Sequence, residues 1–329
     1  MGGRRLSAVD QGWPLARPFA ISRGIKTEAR VVVAEIEDAD GHAGRGECVP
    51  YAHYGETVDS VIHQIAGIAD AVAGGLDRPG LLDALPPGAA RNAVDCALWD
   101  LEAKQADKRV WELAGLPRPE PAVTAETIGI ASPQEMALQA SRLAKAPLLK
   151  IKLDGQDVRA RLSAVREAAP DARLVVDPNE GWDLHRLKNL ALFLAEMGVV
   201  MLEQPVPVHG DDILRGFDCP VPICADESCH TAADLDRLDG LYDMVNIKLD
   251  KTGGLTAALE LADAAEAGGF GLMVGCMVAT SLAMAPATVL MNRAKVVDLD
   301  GPLLLRGDRD KGLTFTDGYI HPPERDLWG

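Results

Sequence analysis

From about position 121 onward, short apolar runs alternate with amphipathic stretches. The runs cover 124–130, 148–153, 173–177, 199–203, 222–226, 244–248, 271–276 and 296–300. Each is five to seven residues long and rich in Val, Ile, Leu or Met, the pattern of a strand buried on both faces. Between them, Val158, Leu162 and Val165 share a helical face before Pro170 stops the helix. Leu187, Ala191 and Leu194 share another after a capping Asp183, and a third helix over 256–267 ends on Gly268-Gly269. Eight buried strands with helical crossovers predict parallel pairing, and eight parallel strands close into a barrel; a doubly wound open sheet is the competing arrangement. No helical pattern follows the eighth run, where GPLLLRGDRDKG and the alternating LTFTDGYI come next. The expected fold is therefore α/β, a modified (β/α)7β barrel of the TIM type that lacks its last helix.

The first third reads differently. RVVVAEIE (30–37) alternates, Asp40-Gly41 turns the chain, and 42–48 returns, which predicts a hairpin. Two helical stretches follow, 58–73 and 89–106, separated by Pro86-Pro87-Gly88. Strands followed by helices predict an α+β unit, with GLPRPE (115–120) as its exit linker. The expected division is an α+β capping unit over 1–120 and a barrel over 121–300, with 301–329 returning to the first unit.

Composition narrows the partners. A net charge of −16 disfavours nucleic acid and anionic membrane surfaces. No apolar stretch is long enough to span a bilayer, and the start, MGGRRLSAVDQGW, has no apolar run of a signal peptide. The six cysteines are scattered without a CxxC pair or zinc-ligand spacing, so free thiols in the cytoplasm are expected. Sequence leaves a homo-oligomer open.

The chemistry is concentrated at the ends of the runs. Lys152, Asp177, Glu203, Asp226 and Lys248 are 25, 26, 23 and 22 residues apart, one βα unit each time. Each closes an apolar run, where barrel enzymes build their sites. A single such residue would be an ordinary strand-end charge; five in phase aim at one mouth. Three carboxylates on adjacent strands repel unless a cation lies among them. An all-oxygen set without His or Cys selects a hard ion, Mg²⁺ first, with neutralisation by Lys and Arg alone as the competing reading. Lys150 and Lys152 share a strand face, about 6.7 Å apart at the backbone. At that distance their ammoniums repel by about 2.5 kcal/mol, which favours a neutral base at Lys152; a metal adds to this and the carboxylates oppose it. Lys248 would stand across the mouth, and two bases on opposite faces of one carbon suit 1,1-proton transfer.

The motifs KIKLD (150–154), DPNEGW (177–182), LEQP (202–205), ADES (225–228) and NIKLDKTGG (246–254) resemble the enolase superfamily, muconate-lactonizing subgroup. The resemblance runs nearly the length of the chain and includes ARNAVDCALWDLEAK (90–104). Within the subgroup, GCM (275–277) and DLDG (298–301) look like the dipeptide epimerases. That resemblance implies Asp177, Glu203 and Asp226 as Mg²⁺ ligands and Lys152 and Lys248 as the acid/base pair. It implies Lys150 at the substrate carboxylate, Asp298 and Asp300 at the ammonium of a dipeptide such as L-Ala-L-Glu, and Thr127, Cys276 and Met277 at the substrate. Pro178 stands where relatives carry Val or Ala. On a strand, Asp298 and Asp300 point the same way and form a doubly negative pocket, unless they are simply solvated acids. In the cationic segment ISRGIK (21–26), Arg23 or Lys26 could pair with a substrate side-chain carboxylate, against a solvated turn. Tyr51 and Tyr54 would wall the pocket or pack in the core, and His230 would support the site without joining it. The competing functions are a lyase on the same scaffold (o-succinylbenzoate synthase or a cycloisomerase), a Schiff-base aldolase using Lys248, and a binding protein without turnover.

Overall fold

The structure, a computed structural model, describes residues 3–329. Strands β1 (Arg5–Ile21), β2 (Gly24–Glu37) and β3 (Ala43–Cys48) form an antiparallel sheet in that order. The β2–β3 hairpin is the expected one, and Asp38 Oδ1 closes its turn by accepting from the backbone N–H of Asp40 and His42 at 2.9 Å each. β1 was not expected from sequence. Pro14 and Pro18 interrupt its pattern, and the register shifts between Pro14 and Phe19, as an edge strand tolerates. Residues 21–24, the first part of the cationic segment 21–26, are the tight turn of this longer hairpin.

The helix Ala89–Ala106 crosses the sheet and is buried on nearly every side, so it shows little amphipathicity. It packs so closely on β3 that a Cβ at Gly44 or Gly46 would lie 2.1 Å from the Ala97 or Ala93 carbonyl oxygen. The helix expected over 58–73 is two, Val58–Gly67 and Ala69–Ala73. A further helix, Arg78–Ala84, was missed; Asp77 caps it through the Gly80 N–H at 2.9 Å.

After a short β4 (Ala122–Val123) come eight parallel strands in sequence order: β5 (Glu126–Ile128), β6 (Leu148–Lys152), β7 (Arg173–Asp177), β8 (Val199–Glu203), β9 (Ile223–Ala225), β10 (Met244–Ile247), β11 (Gly271–Gly275) and β12 (Val296–Asp298). The ring closes just before β5. Thr124 bridges Val297 in parallel, the Ala125 N–H donates to the Val297 carbonyl at 2.8 Å, and the Leu299 N–H donates to Thr124 Oγ1 at 3.0 Å. Closure excludes the open sheet.

Helices Val158–Ala168, Leu184–Glu196 and Leu255–Ala267 cover the outside as expected. Between β8 and β9 the crossover is only a 3₁₀ stretch, Val208–Leu214, and before β10 it holds one α turn, Leu235–Leu238. After β12 only the 3₁₀ turn Gly301–Leu304 follows, so the barrel lacks its last helix. The tail hairpin β13 (Phe315–Thr316) and β14 (Tyr319–Ile320) pairs with β4. The chain ends against the first sheet's helix, with Trp328 Nε1 donating to the Cys96 carbonyl at 3.0 Å and the Gly329 N–H to Asp100 Oδ1 at 2.7 Å.

Side-chain alternation places the site. An inner apolar layer takes one residue from each strand or its start: Ala125, Leu148, Val175, Met201, Cys224, Met244, Met273 and Val296. Two residues further along each strand, on the same inward face, stand Thr127, Lys150, Asp177, Glu203, Asp226, Asn246, Gly275 and Asp298. The intervening members of the strands, such as Leu149, Ile151, Leu174, Val176 and Leu202, face the helices in the outer core. One apolar layer at the barrel floor thus carries a polar layer above it.

Candidate active site

The polar layer is a buried network of ion pairs. Lys150 Nζ lies 2.6 Å from Glu203 Oε2, 2.7 Å from Asp298 Oδ2 and 3.2 Å from Asp177 Oδ2. Lys152 Nζ donates to Asp177 Oδ2 at 2.5 Å, and Lys248 Nζ to Asp226 Oδ2 at 2.6 Å. All five strand-end residues singled out by spacing therefore meet at one mouth. Burial works against the Lys248 ammonium, but the Asp226 and Glu203 charges outweigh it and hold its pKa above the usual lysine value. Lys150 is raised in the same way: burial lowers it, and Asp298, Glu203 and Asp177 more than reverse that. The carboxylates expected to oppose the Lys150–Lys152 repulsion lie close at hand. Three carboxylates within 3.2 Å absorb its charge.

Sequence reasoning missed the groups that hold this network. Asn179, with φ of 46°, donates its backbone N–H to Asp177 Oδ1 at 2.8 Å. Asn246 Nδ2 donates to Glu203 Oε1 at 2.9 Å, and a Cβ at Gly275 would strike the Asn246 amide. Gln204 Oε1 accepts from the Asp226 and Ser228 N–H groups at 2.9 and 3.1 Å, and its Nε2 donates to Tyr242 Oη at 2.9 Å. Lys251 lies behind Asp226, 2.8 Å from its Oδ1. Asn246 was within reach of sequence, because it sits two residues beyond the inward-facing Met244.

The β1–β2 turn covers the mouth. Arg23 Nη2 donates to Glu227 Oε1 at 2.7 Å and to Tyr51 Oη at 3.1 Å, while its Nη1 donates to Glu180 Oε2 at 3.1 Å. Arg23 is thus engaged by the protein itself. Lys26 makes no ion pair among the described residues; its Nζ stands 4.9 Å from the centre of the Tyr51 ring. Burial and then the Arg23 charge lower its pKa. Tyr54 packs edge-on against His230, ring centres 4.6 Å apart, and against Tyr51 at 5.2 Å. His230 is held by its backbone N–H donating to Asp234 Oδ2 at 2.8 Å, and among the described residues its ring makes no ion pair.

The cleft at the mouth is a partly open cavity of about 70 Å³. Arg23, Lys26, Tyr51 and Tyr54 line it from the cap. Thr127, Lys150, Lys152, Asp226, Lys248, Cys276, Met277, Asp298 and Asp300 line it from the barrel. The Thr127 N–H donates to Asp300 Oδ2 at 2.7 Å. Burial, then the neighbouring Asp298 charge, push the Asp300 carboxyl up to about 7. Asp177 and Glu203 are buried beneath the surface of the cleft.

Among the described residues no three acidic, His or Cys side chains converge closely enough to enclose a metal ion. The physical reason is that lysine ammoniums stand between the carboxylates. The donor set nonetheless suits a hard cation. Three buried carboxylates end adjacent strands, and Glu203 Oε2 and Asp226 Oδ1 have charge contacts but no hydrogen-bond partner among the described residues. The Glu203 carboxyl is pushed up to about 7 by burial and by the charges of Asp177 and Asp226, the signature of a site with negative charge to spare.

Comparison with known proteins agrees with this geometry. Residues 4–115 match the mandelate racemase / muconate lactonizing enzyme N-terminal domain, and residues 135–326 match the enolase C-terminal domain-like family. The chain is 49% identical over 320 residues to L-Ala-D/L-Glu epimerase of Escherichia coli (strain K12), covering 97% of this chain and 99% of that one. It is 44% identical to N-acetyl-D-glutamate racemase of a Pseudoalteromonas species, covering 91% and 95%. It superposes with a TM-score of 0.97 and 49% identity on an enolase family member from Agrobacterium tumefaciens with homology to dipeptide epimerases, bound to sodium and L-Ala-L-Glu with an ordered loop, covering 99% and 100%. With its antiparallel cap, its closed barrel and its Lys–carboxylate–Lys mouth, the chain belongs to the mandelate racemase / muconate lactonizing enzyme branch of the enolase superfamily.

Proposed function

We propose that this protein is a Mg²⁺-dependent dipeptide epimerase. It inverts the α-carbon of the C-terminal residue, with L-Ala-L-Glu and L-Ala-D-Glu as its substrate pair. The observation that carries the reading is the placement of Lys152 and Lys248 on either side of one cleft, with three carboxylates between them and Asp298 and Asp300 beside it.

Asp177, Glu203 and Asp226 would hold the ion. When bound, it supplies positive charge beside the substrate carboxylate. Lys150 lies against the same region and adds a fixed cation. Lys152 takes the α-proton from one face and Lys248 returns a proton to the other; the reverse reaction exchanges the roles. The cap excludes water from the cleft through Tyr51, Tyr54 and the 21–26 turn. Asp300, with Asp298, receives the substrate ammonium, and Thr127 orients Asp300 through its backbone. Cys276 and Met277 wall the site next to that pocket. The side-chain carboxylate of the second residue meets Lys26 of the cap turn, while Arg23, held by Glu227, Glu180 and Tyr51, braces that turn.

Incubation of L-Ala-L-Glu in D₂O with Mg²⁺ tests the proposal: α-deuterium should appear together with the D-Glu epimer. Deuterium-free substrate after long incubation would refute it. One observation favours a second reading, racemisation of an N-acylamino acid. Asp298 is already paired with Lys150 at 2.7 Å, so the ammonium pocket has one uncommitted carboxylate. The 44% identity to the racemase of N-acetyl-D-glutamate points the same way. Parallel incubation with N-acetyl-D-glutamate separates the two.

We further infer a cytoplasmic role in the metabolism of murein peptides, which contain the L-Ala-D-Glu unit. All six cysteines are free thiols, as a reducing compartment permits, and no helix is long and apolar enough to cross a membrane among the described residues. We divide the chain into a capping unit, 1–120 with 301–329, and a catalytic barrel, 121–300; the contacts of Trp328 and Gly329 with Cys96 and Asp100 support the return of the tail's end to the cap, while the tail hairpin pairs with β4 at the start of the barrel unit.

A further inference from the structure

Lys251 is among the largest fully buried side chains of the protein, yet it forms no part of the cleft wall. A lysine this deeply buried is rare unless fully paired. Its ammonium donates to two carbonyl oxygens, that of Asp226 and that of Asn246 at 2.9 Å, and forms an ion pair with Asp226 Oδ1 at 2.8 Å. Lys248 holds the other oxygen of the same carboxylate, Oδ2, at 2.6 Å. The two lysines also share a turn. Lys248 caps the one-turn helix Leu249–Thr252, and the Lys251 N–H donates to the Lys248 carbonyl at 2.9 Å. At the far end of that turn, buried Arg91 of the cap donates to the Thr252 carbonyl at 2.7 Å and the Gly253 carbonyl at 3.2 Å.

We propose that Lys251 is the positioning residue for Lys248. It ties the end of β9 to the end of β10, and so sets both the turn from which Lys248 projects and the carboxylate against which its ammonium rests. Without it, Asp226 would keep one unmatched oxygen, and Lys248 would be free to fold across both. Lys152 is untouched by this device. It stands four strands away in the ring of eight and rests on Asp177. Lys251 therefore serves one stereochemical face of the reaction and not the other. This inference rests on the two-lysine reading given above.

The test is Lys251→Met, which keeps length and removes charge, with Lys251→Gln as a second variant should the first fail to fold. Each epimer of L-Ala-Glu is incubated separately in D₂O at saturating Mg²⁺, and α-deuterium is followed by NMR alongside a thermal melt. The epimer served by Lys248 is the one that loses exchange in Lys248→Ala. For that epimer, exchange in the Lys251 variants should fall about 10²-fold, the cost of a small misplacement of a reacting group. For the other epimer, exchange should stay within about tenfold of the parent protein, since its base is held elsewhere. Equal losses on both faces, or no loss on either, would overturn the positioning role. Absence of exchange in the parent protein itself would overturn the two-lysine reading, and this role with it.

Discussion

Lys152 and Lys248 rise from strand ends four apart in a ring of eight, so the barrel axis runs between their side chains. A substrate carbon held on that axis presents one face to each. Replacing either lysine by Ala should abolish epimerisation, because every turnover needs both. Proton exchange should survive on one face: Lys248→Ala should label one epimer with retained configuration, and Lys152→Ala the other. Loss of about 10²–10⁴-fold is expected on the affected face. NMR of each epimer in D₂O reads the outcome, and epimerisation near the parent rate in either variant would rule out the pair.

Removal of divalent metal with EDTA should abolish turnover, and Mg²⁺ should restore it. Asp177→Asn, Glu203→Gln and Asp226→Asn each remove one charge while keeping shape. Calorimetric titration should show weaker Mg²⁺ binding in each. Melting should fall in Asp177→Asn and Asp226→Asn, whose carboxylates pair with buried lysines, and change least in Glu203→Gln, whose carboxyl is already pushed up to about 7 by burial and the charge of Asp177. Full activity of metal-stripped protein would contradict the proposed site.

Affinity for the dipeptide should depend on pH through Asp300. Its carboxyl is pushed up to about 7 by burial and by Asp298, with Lys150 and the Thr127 backbone acting in the opposite sense. Below that pH the free protein holds Asp300 neutral, and an ammonium substrate must displace the proton. KM should therefore rise as pH falls from about 8 to about 6, approaching tenfold per unit below the pKa, since one proton is released on binding. Asp300→Asn should flatten this dependence. N-acetylated substrate, lacking the cation, should not show it.

Arg23 and Lys26 should separate in their effects. Arg23 is bound to Glu227, Glu180 and Tyr51, so Arg23→Met loosens the cap and should raise KM for every dipeptide. Lys26 has no ion-pair partner among the described residues, so Lys26→Met should raise KM only for substrates with an acidic second residue. A lost charge-assisted hydrogen bond is worth about 1.5–3 kcal/mol, so about ten- to hundredfold is expected. A panel comparing L-Ala-L-Glu with L-Ala-L-Ala distinguishes the two roles.

The tail should matter for stability. Trp328 is 1% exposed and bonded to the Cys96 carbonyl. Trp328→Ala should cost about 3–5 kcal/mol in urea unfolding, as large-to-small changes of buried aromatics do.

The eight strands, their parallel order and five strand-end residues were legible in the chain because their signals are local. A run of five apolar residues and a charge at its end need only neighbouring positions to be recognised. β1 was hidden because two prolines and an exposed edge erase the alternation that marks a strand. Helix Arg78–Ala84 is too short for its periodicity to stand out between loops.

By itself, then, the sequence determined the barrel, the residues at its mouth and the character of its chemistry, since strand period and strand spacing are properties of the chain. How those charges are shared depends on contacts between distant parts of the chain. Lys150 meets Asp298 across 148 residues, Arg23 meets Glu227 across 204, and Lys251 closes on Asp226 from the helical turn after the next strand. Such contacts exist only after the barrel closes and the cap docks, when burial makes each charge take the nearest partner of opposite sign.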